Sequence, residues 1–538
     1  MPSALAVAVC VLALLTACSG RLPAQSNAPS LSSTIGSDTP TTIDGKVINA
    51  ITGAPVPRAL VQLDEHAMLT DQEGRFSFRS IEAASNGSNS SLNLRVTKPG
   101  YYGDSDGNAM LMTSVAPAQL TAPVTLKIYP EALITGTLTS TDGTPLPHVL
   151  VSAQRSIYSE RGHQWIPIGQ HMTDSRGMFR LTVPAGDYRV ETGFMPRFEG
   201  SSQGIIPSIY PSITSSDTSE YFHVGAGTEE RINLHPLVSP TYMVTMNFDR
   251  SSGQGGIPLL TARSTTGAMI PANYTRTPTS GGGVVHLPLG TYTLIASQNF
   301  GGATEYGETT VTVTGANTPP ATLHLATLPA IPVEVVVDSA ATSDKTPPSV
   351  QQLGLLLSSS QPSSLGRQTS FGIINSRDGA FFLNATPGTY RLIGLAAGEW
   401  FVRAATYGGT DLLQHELIIA QGSGSAPIRL TVSDQTGSLA GTAKLNGVPA
   451  ATWVYLIPSG PSANPVYTVR SSAAGAFNFA HLPPGAYRAI AFETRHQDDY
   501  RSPQRFSRYA TWIRNATVMA GNRASLELEA IPDSEMQP

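Results

Sequence analysis

The chain of 538 residues contains two cysteines, Cys10 and Cys18, and both fall within its first 18 residues. The body that follows has no thiol, which excludes a disulfide framework, a cysteine-ligated zinc and a cysteine nucleophile there. Each folded unit must therefore be held by its own buried core. Charge is sparse as well: Asp, Glu, Lys and Arg make up 13% of residues, against about 25% in an ordinary soluble domain. The formal net charge of -5 supplies no basic field for phosphates, which excludes nucleic acid as a partner. No window carries a helical apolar stripe, and 50 Gly with 41 Pro disfavour long helices. No His is followed three residues on by Glu, and no His-Glu-x-x-His occurs. A metallopeptidase cage is missing, and so is the alternating helix-strand scaffold that a serine-hydrolase elbow needs, so no catalytic residue, metal ligand or cofactor is expected.

What is present begins with an export signal. Ala4 to Leu15 form an apolar run of signal-peptide length, well short of the roughly 20 residues of a spanning helix. Leu15-Thr16-Ala17-Cys18 resembles the bacterial lipobox, although no Lys or Arg precedes the apolar run. The resemblance implies cleavage before Cys18, lipidation of Cys18 and an N-terminal membrane anchor. Ser19, where lipoproteins retained at the inner membrane carry Asp, then points to the outer membrane. Ordinary cleavage near Ala24 is the alternative, and either route exports the chain. Residues 19–42, rich in Ser, Thr, Pro and Asn, read as a solvated tether.

Beyond it, short segments such as Leu92 to Val96, Val124 to Ile128, Phe179 to Val183 and Ile428 to Val432 alternate apolar and polar residues, the period of half-buried strands. A longer repeat overlies this one. Asp174-Ser175-Arg176-Gly177-Met178-Phe179 leads to Pro184-Ala185-Gly186-Asp187-Tyr188, with related versions at Asp71 to Phe76, Gly283 to Tyr292, Asp378 to Tyr390 and Gly475 to Tyr487. The glycines Gly74, Gly177, Gly283, Gly379 and Gly475 are spaced by 103, 106, 96 and 96 residues, so the unit is one domain long. Asp-x-x-Gly suits a hairpin bend, the aromatic two residues after the Gly points inward, and the Tyr after Pro-x-Gly buries its ring while its hydroxyl seeks a backbone partner. These residues build a sandwich rather than a site.

Ile43-Asp44-Gly45, Thr52-Gly53-Ala54-Pro55-Val56-Pro57, Asp71 to Phe76 and Lys98-Pro99-Gly100-Tyr101 resemble the carboxypeptidase regulatory-like domain. So do Ile134-Thr135-Gly136 with Asp142 to Pro147, and Leu439-Ala440-Gly441 with Asn446-Gly447-Val448-Pro449. The resemblance implies a transthyretin-like, non-catalytic accessory fold. The expectation is an all-β chain of tandem transthyretin-like or Ig-like β-sandwich modules after a lipoprotein signal. Residues 1–18 are the signal, 19–42 the tether, and 43–130, 131–237 and 435–532 regulatory-like domains. Residues 238–328 and 329–434 are β-sandwich modules of looser resemblance.

Asp104-Ser105-Asp106-Gly107-Asn108 carries oxygen ligands at calcium-loop spacing, but no bidentate Glu follows and a plain turn is the better reading. Two aromatic and charged segments, Arg155 to His171 and His496 to Arg514, are expected in loops or at a strand edge. Sugar binding there would use Tyr158, Trp165, Arg505, Tyr509 and Trp512, rings stacking on pyranose faces and guanidinium groups chelating hydroxyls. The alternative is that these side chains cover a sandwich edge. The leading expectation is a non-catalytic envelope binding or spacer protein whose partner is a carbohydrate or another envelope protein. A ligand-free stalk, an accessory subunit for a separately encoded envelope peptidase and an enzyme of unfamiliar geometry remain open.

Overall fold

The computed structural model describes residues 41–535 apart from 64, 82–91, 116–122, 160–161, 196–202, 212–219, 251–257, 266–268, 273–274, 277–281, 301–302, 329, 339, 342–345, 360–372, 378–379, 385, 394–397, 421–425, 461–463 and 503–505. Its named elements are β-strands and two three-residue 3-10 turns, Ser507–Tyr509 and Asp533–Glu535. The chain is all-β, a series of tandem β-sandwich modules. The signal, Cys18, Ala24 and the tether up to residue 40 lie outside the described residues. The first strand begins at Thr41, two residues inside the expected tether.

One pairing pattern recurs five times. An opening strand, Thr41–Asn49, Ala132–Leu138, Val238–Arg250, Ala330–Val337 or Gly437–Leu445, pairs antiparallel with Arg75–Ile81, Met178–Val183, Gly283–Pro288, Ala380–Asn384 or Ala476–Leu482. On its other side it pairs parallel with Val124–Pro130, Glu229–Leu234, Ala321–Thr327, Ile428–Ser433 or Arg523–Ile531. The facing layer centres on Leu92–Thr97, Gly186–Thr192, Gly290–Phe300, Gly388–Ile393 or Gly485–Phe492, each antiparallel to an earlier strand of its module. Alternate residues of these strands turn into the space between layers; in Ala132–Leu138 every second residue is buried. The buried apolar residues form separate clusters within 43–128, 132–234, 244–325, 331–432 and 439–530. Consecutive modules can also share main-chain bonds, since Gln203–Ile205 adds to the opening strand at Val238, Ser239 and Pro240.

The motif residues explain the pairing. Gly45, Gly136 and Gly441 lie opposite Phe76, Phe179 and Phe477. A Cβ on Gly45 would stand 2.3 Å from Phe76 Cζ, and on Gly136 or Gly441 it would stand 1.7 or 1.9 Å from the carbonyl oxygen of Ile232 or Leu526. The absent side chain lets three strands close up under the ring. Burial of each ring is worth about 1.5–3 kcal/mol. The inward aromatic expected in every module is absent from the third, where Val285 faces Val244; two branched side chains fill the volume that a ring and a glycine fill elsewhere.

Gly74, Gly177 and Gly475 make the bend, with φ of +72°, +72° and +75°. Asp71 and Asp174 accept the N–H of Arg75 and Met178 at 2.6 and 2.8 Å, and Ser472 does so for Ala476 at 3.1 Å. Gly283 departs from expectation: it opens a strand, opposite Met246, instead of making a left-handed bend. Gly379 lies outside the described residues. Tyr188, Tyr390 and Tyr487 bury their rings and donate their hydroxyls to the carbonyls of Pro184, Thr386 and Pro483, four residues earlier, at 2.7, 2.8 and 2.6 Å. Burial raises the pKa of all three.

Candidate ligand site at a junction of modules

The Asp104–Asn108 segment is a turn, and it docks. Asp104 Oδ1 accepts the N–H groups of Asp106 and Asn108 at 3.1 and 3.0 Å, and its Oδ2 accepts Asn108 Nδ2 at 2.6 Å. These bonds occupy the oxygens that a cation would need. Among the described residues no group of three His, Cys, Asp or Glu is placed to hold a metal. From the second module Arg155 donates to the carbonyls of Asp106 and Ser105 at 2.7 and 2.9 Å. From the fifth, Arg495 pairs with the Asp106 carboxylate and Gln497 donates to it at 3.3 Å. One short turn thus joins three modules through charge-assisted bonds.

Of the two placements expected for Arg155 to His171, loop or strand edge, the structure has the edge, with Gly162–Met172 the outermost strand of its sheet. The segment belongs to a long hairpin of Leu150–Ser159 and Gly162–Met172, paired from Leu150↔Met172 to Ser159↔Gly162. Trp165 on this hairpin is 2% exposed and lies 4.6 Å under the Arg189 guanidinium. That guanidinium is itself 2% exposed, donates to Gln154 Oε1 at 2.6 Å, and is lowered by burial to about 10. The cation–π contact compensates part of its lost hydration. Trp165 therefore offers no face to a sugar, which corrects the expectation drawn from the sequence. Tyr158 stays half-buried, its ring 4.8 Å from that of His163, whose Nε2 lies 2.9 Å from Ser156 Oγ.

The second segment, His496 to Arg514, lays a small second core over the outer face of the fifth module. Tyr455, Ile457, Ile490, Phe492 and Ile531 meet Tyr500, Phe506 and Tyr509 there, with Trp512 packed against them. Tyr509 is 6% exposed and donates to Asp498 Oδ2 at 3.1 Å. Its role is cover, as is that of Trp512, and Arg505 lies outside the described residues. Asp498, almost wholly enclosed, also pairs with Arg508 at 3.1 Å. The His496 ring stacks on Phe492 at 4.5 Å and its Nδ1 lies 2.9 Å from the Tyr500 hydroxyl. Burial lowers its pKa to about 4, with Arg508 adding to the shift and Asp498 opposing it. The imidazole is neutral at pH 7. Tyr455 donates to the His496 carbonyl at 2.6 Å, and burial pushes its own pKa up to about 12.

Between these elements lies an open cavity of about 390 Å³, within the usual 300–1,000 Å³ of ligand sites. The fifth module supplies most of its wall, through Arg495 to Ser502 and Tyr455, while Tyr158 enters from the second module and Arg391 from the fourth. Of the four expected ligand residues that the structure describes, Tyr158 alone lines it. Arg501 lies in the segment His496 to Arg514 singled out from sequence and Arg495 directly precedes it, whereas Arg391 had no local signal, because the fold brings it there from another module.

No protein-family model matches the chain, and no curated protein matches it. Solved structures that resemble it include the Bacillus anthracis TIE protein, 10% identical over 91% of this chain and 68% of that one, with a TM-score of 0.15. The minor pilin of Streptococcus agalactiae is 13% identical over 37% of this chain and 97% of its own, with a TM-score of 0.20. A streptococcal ancillary pilin is 13% identical over 54% and 99%, with a TM-score of 0.18. Among the described residues no helix is long and apolar enough to cross a membrane.

Proposed function

We propose that the protein is an exported, non-catalytic binding protein of the cell envelope, built from carboxypeptidase regulatory-like modules and anchored through Cys18. Its modules form a closed head rather than a linear stalk. The observation that carries this reading is the Asp106 turn, held at once by Arg155 and, 389 residues along the chain, by Arg495. A straight row of modules cannot bring its first and fifth members into contact. Binding proteins gather loops from several modules around one recess, and the cavity beside this contact fits that use.

Small-angle scattering of the mature chain tests the arrangement. A compact body of this length has a radius of gyration of about 24 Å, and five modules in a straight row have roughly twice that. The closed head gives a value near the first, rising when Asp106→Ala is combined with Arg495→Ala. A wild-type curve fitting the straight row refutes the reading. Incubation with peptide and glycan panels tests the absence of catalysis, and turnover abolished by chelator would overturn it.

A further inference from the structure

The turn that joins three modules is gripped in two different ways. From the second module Arg155 takes the main-chain carbonyls of Asp106 and Ser105, which have no proton to gain. From the fifth, Arg495 and Gln497 take the Asp106 carboxylate, one on each oxygen. In the chain His496 stands between those two, and its ring turns into the fifth module. The ring stacks on Phe492 at 4.5 Å and meets the Tyr509 ring edge-on at 5.9 Å. Its main chain is fastened as well. The Tyr455 hydroxyl accepts the His496 N–H at 2.9 Å and donates to the His496 carbonyl at 2.6 Å, and the Tyr500 hydroxyl donates to the same carbonyl at 3.0 Å. That donation leaves the Tyr500 oxygen to accept from Nδ1 at 2.9 Å, so the neutral ring carries its proton there. Nε2 has no hydrogen-bond partner among the described residues.

We infer that His496 is the bolt of an acid-released latch: a proton on Nε2 drives the ring from its seat, Arg495 and Gln497 move with it, and the fifth module lets go of Asp106 while the second keeps its hold. This rests on the closed head proposed above. The groups that face the ring are the Tyr455, Tyr500 and Tyr509 hydroxyls, Asp498 and Arg508, with Arg495 next to it in the chain. Burial opposes charge on the ring most strongly, Asp498 favours it and Arg508 opposes it, leaving a folded value of about 4 against the ordinary 6.5. The proton therefore prefers the released state. Below pH 6.5 release becomes easier, by about 30-fold at pH 5 and by up to about 300-fold below pH 4.

The test is an NMR titration of the His496 imidazole in the full mature chain and in Asp106→Ala. If ring and latch are coupled, each acts on the other by the same factor. Opening the latch by mutation should then raise the midpoint from about 4 towards 6.5, by at least about one pH unit. Loss of a nearby negative charge acts in the opposite direction, lowering the midpoint, so the sign separates coupling from plain electrostatics. His496→Phe preserves a ring against Phe492 and has no proton to gain. Between pH 7 and pH 4 the radius of gyration of the wild-type chain should rise towards that of the chain carrying both Asp106→Ala and Arg495→Ala, and that of His496→Phe should not. A midpoint unchanged or lowered in Asp106→Ala overturns the latch, as does equal expansion of His496→Phe and wild type. Either result in a chain that is compact at pH 7 overturns the latch alone. Scattering from an extended row at pH 7 overturns the closed head, and the latch with it.

Discussion

Replacing Gly136 by alanine should unfold one module early and leave its neighbours alone. A Cβ at this position would stand 1.7 Å from the Ile232 oxygen and 2.8 Å from its carbonyl carbon, with Phe179 Cζ at 3.0 Å. The obstruction is main chain, so no side-chain rotation relieves it. The parallel strand must move away, at the cost of hydrogen bonds and of packing under the ring. Overpacking of this kind costs about 1–3 kcal/mol, while the stiffer unfolded chain returns about 0.4–1 kcal/mol. A net loss of about 1.3 kcal/mol lowers the melting temperature of a module of about 100 residues by roughly 5–10 °C. Differential scanning calorimetry should resolve one displaced transition, and limited proteolysis at the intermediate temperature should cut within residues 131–237. Gly460→Ala is the control: it has no atom within 4 Å of its added Cβ and should leave the trace unchanged. An unmoved transition in Gly136→Ala would refute the close approach, and a uniform shift of all transitions would refute independent cores.

Tyr487→Phe deprives the Pro483 carbonyl of its donor and should destabilise the fifth module by about 1–2 kcal/mol in urea unfolding. Tyr292→Phe should be neutral or slightly stabilising, since burial raises its pKa without a described hydroxyl partner. His496 offers a pH test. Its folded pKa of about 4 lies below the ordinary 6.5, so the unfolded state takes up the proton first. Stability is complete above about pH 6.5 and is lost as pH falls towards 4, by roughly 3 kcal/mol at most. NMR should show the His496 ring unprotonated at pH 5; an inflection near 6.5 would refute its burial.

Much of the fold was legible because its signals are local. The bend at Gly177 needs only Asp174 and a residue free to take positive φ, and the Tyr188 hydroxyl finds its acceptor four residues away. The all-β architecture follows from that grammar. The exceptions have a common cause. At Val285 and Gly283 the same core volume and reversal are achieved by other residue combinations, which a motif cannot anticipate. Trp165 and Tyr509 looked like exposed rings because composition does not reveal what covers a strand's outer face. Asp106 read correctly as a turn, yet nothing near it in sequence announces Arg495. Arg391 belongs to the cavity solely through the placement of one module against another.

The parallel pairing of each module's opening and last strands sets how the chain bears tension. Parallel neighbours send the entering and leaving chain out at opposite ends, so a pull along the molecule slides one strand past the other. The evenly spaced ladder from Gly45↔Val124 to Asn49↔Ile128 is then loaded in shear, all its bonds together, instead of being peeled open one at a time. Resistance to such a force is governed by the unfolding rate rather than by equilibrium stability. Under tension each module therefore stays closed until its whole ladder gives way at once.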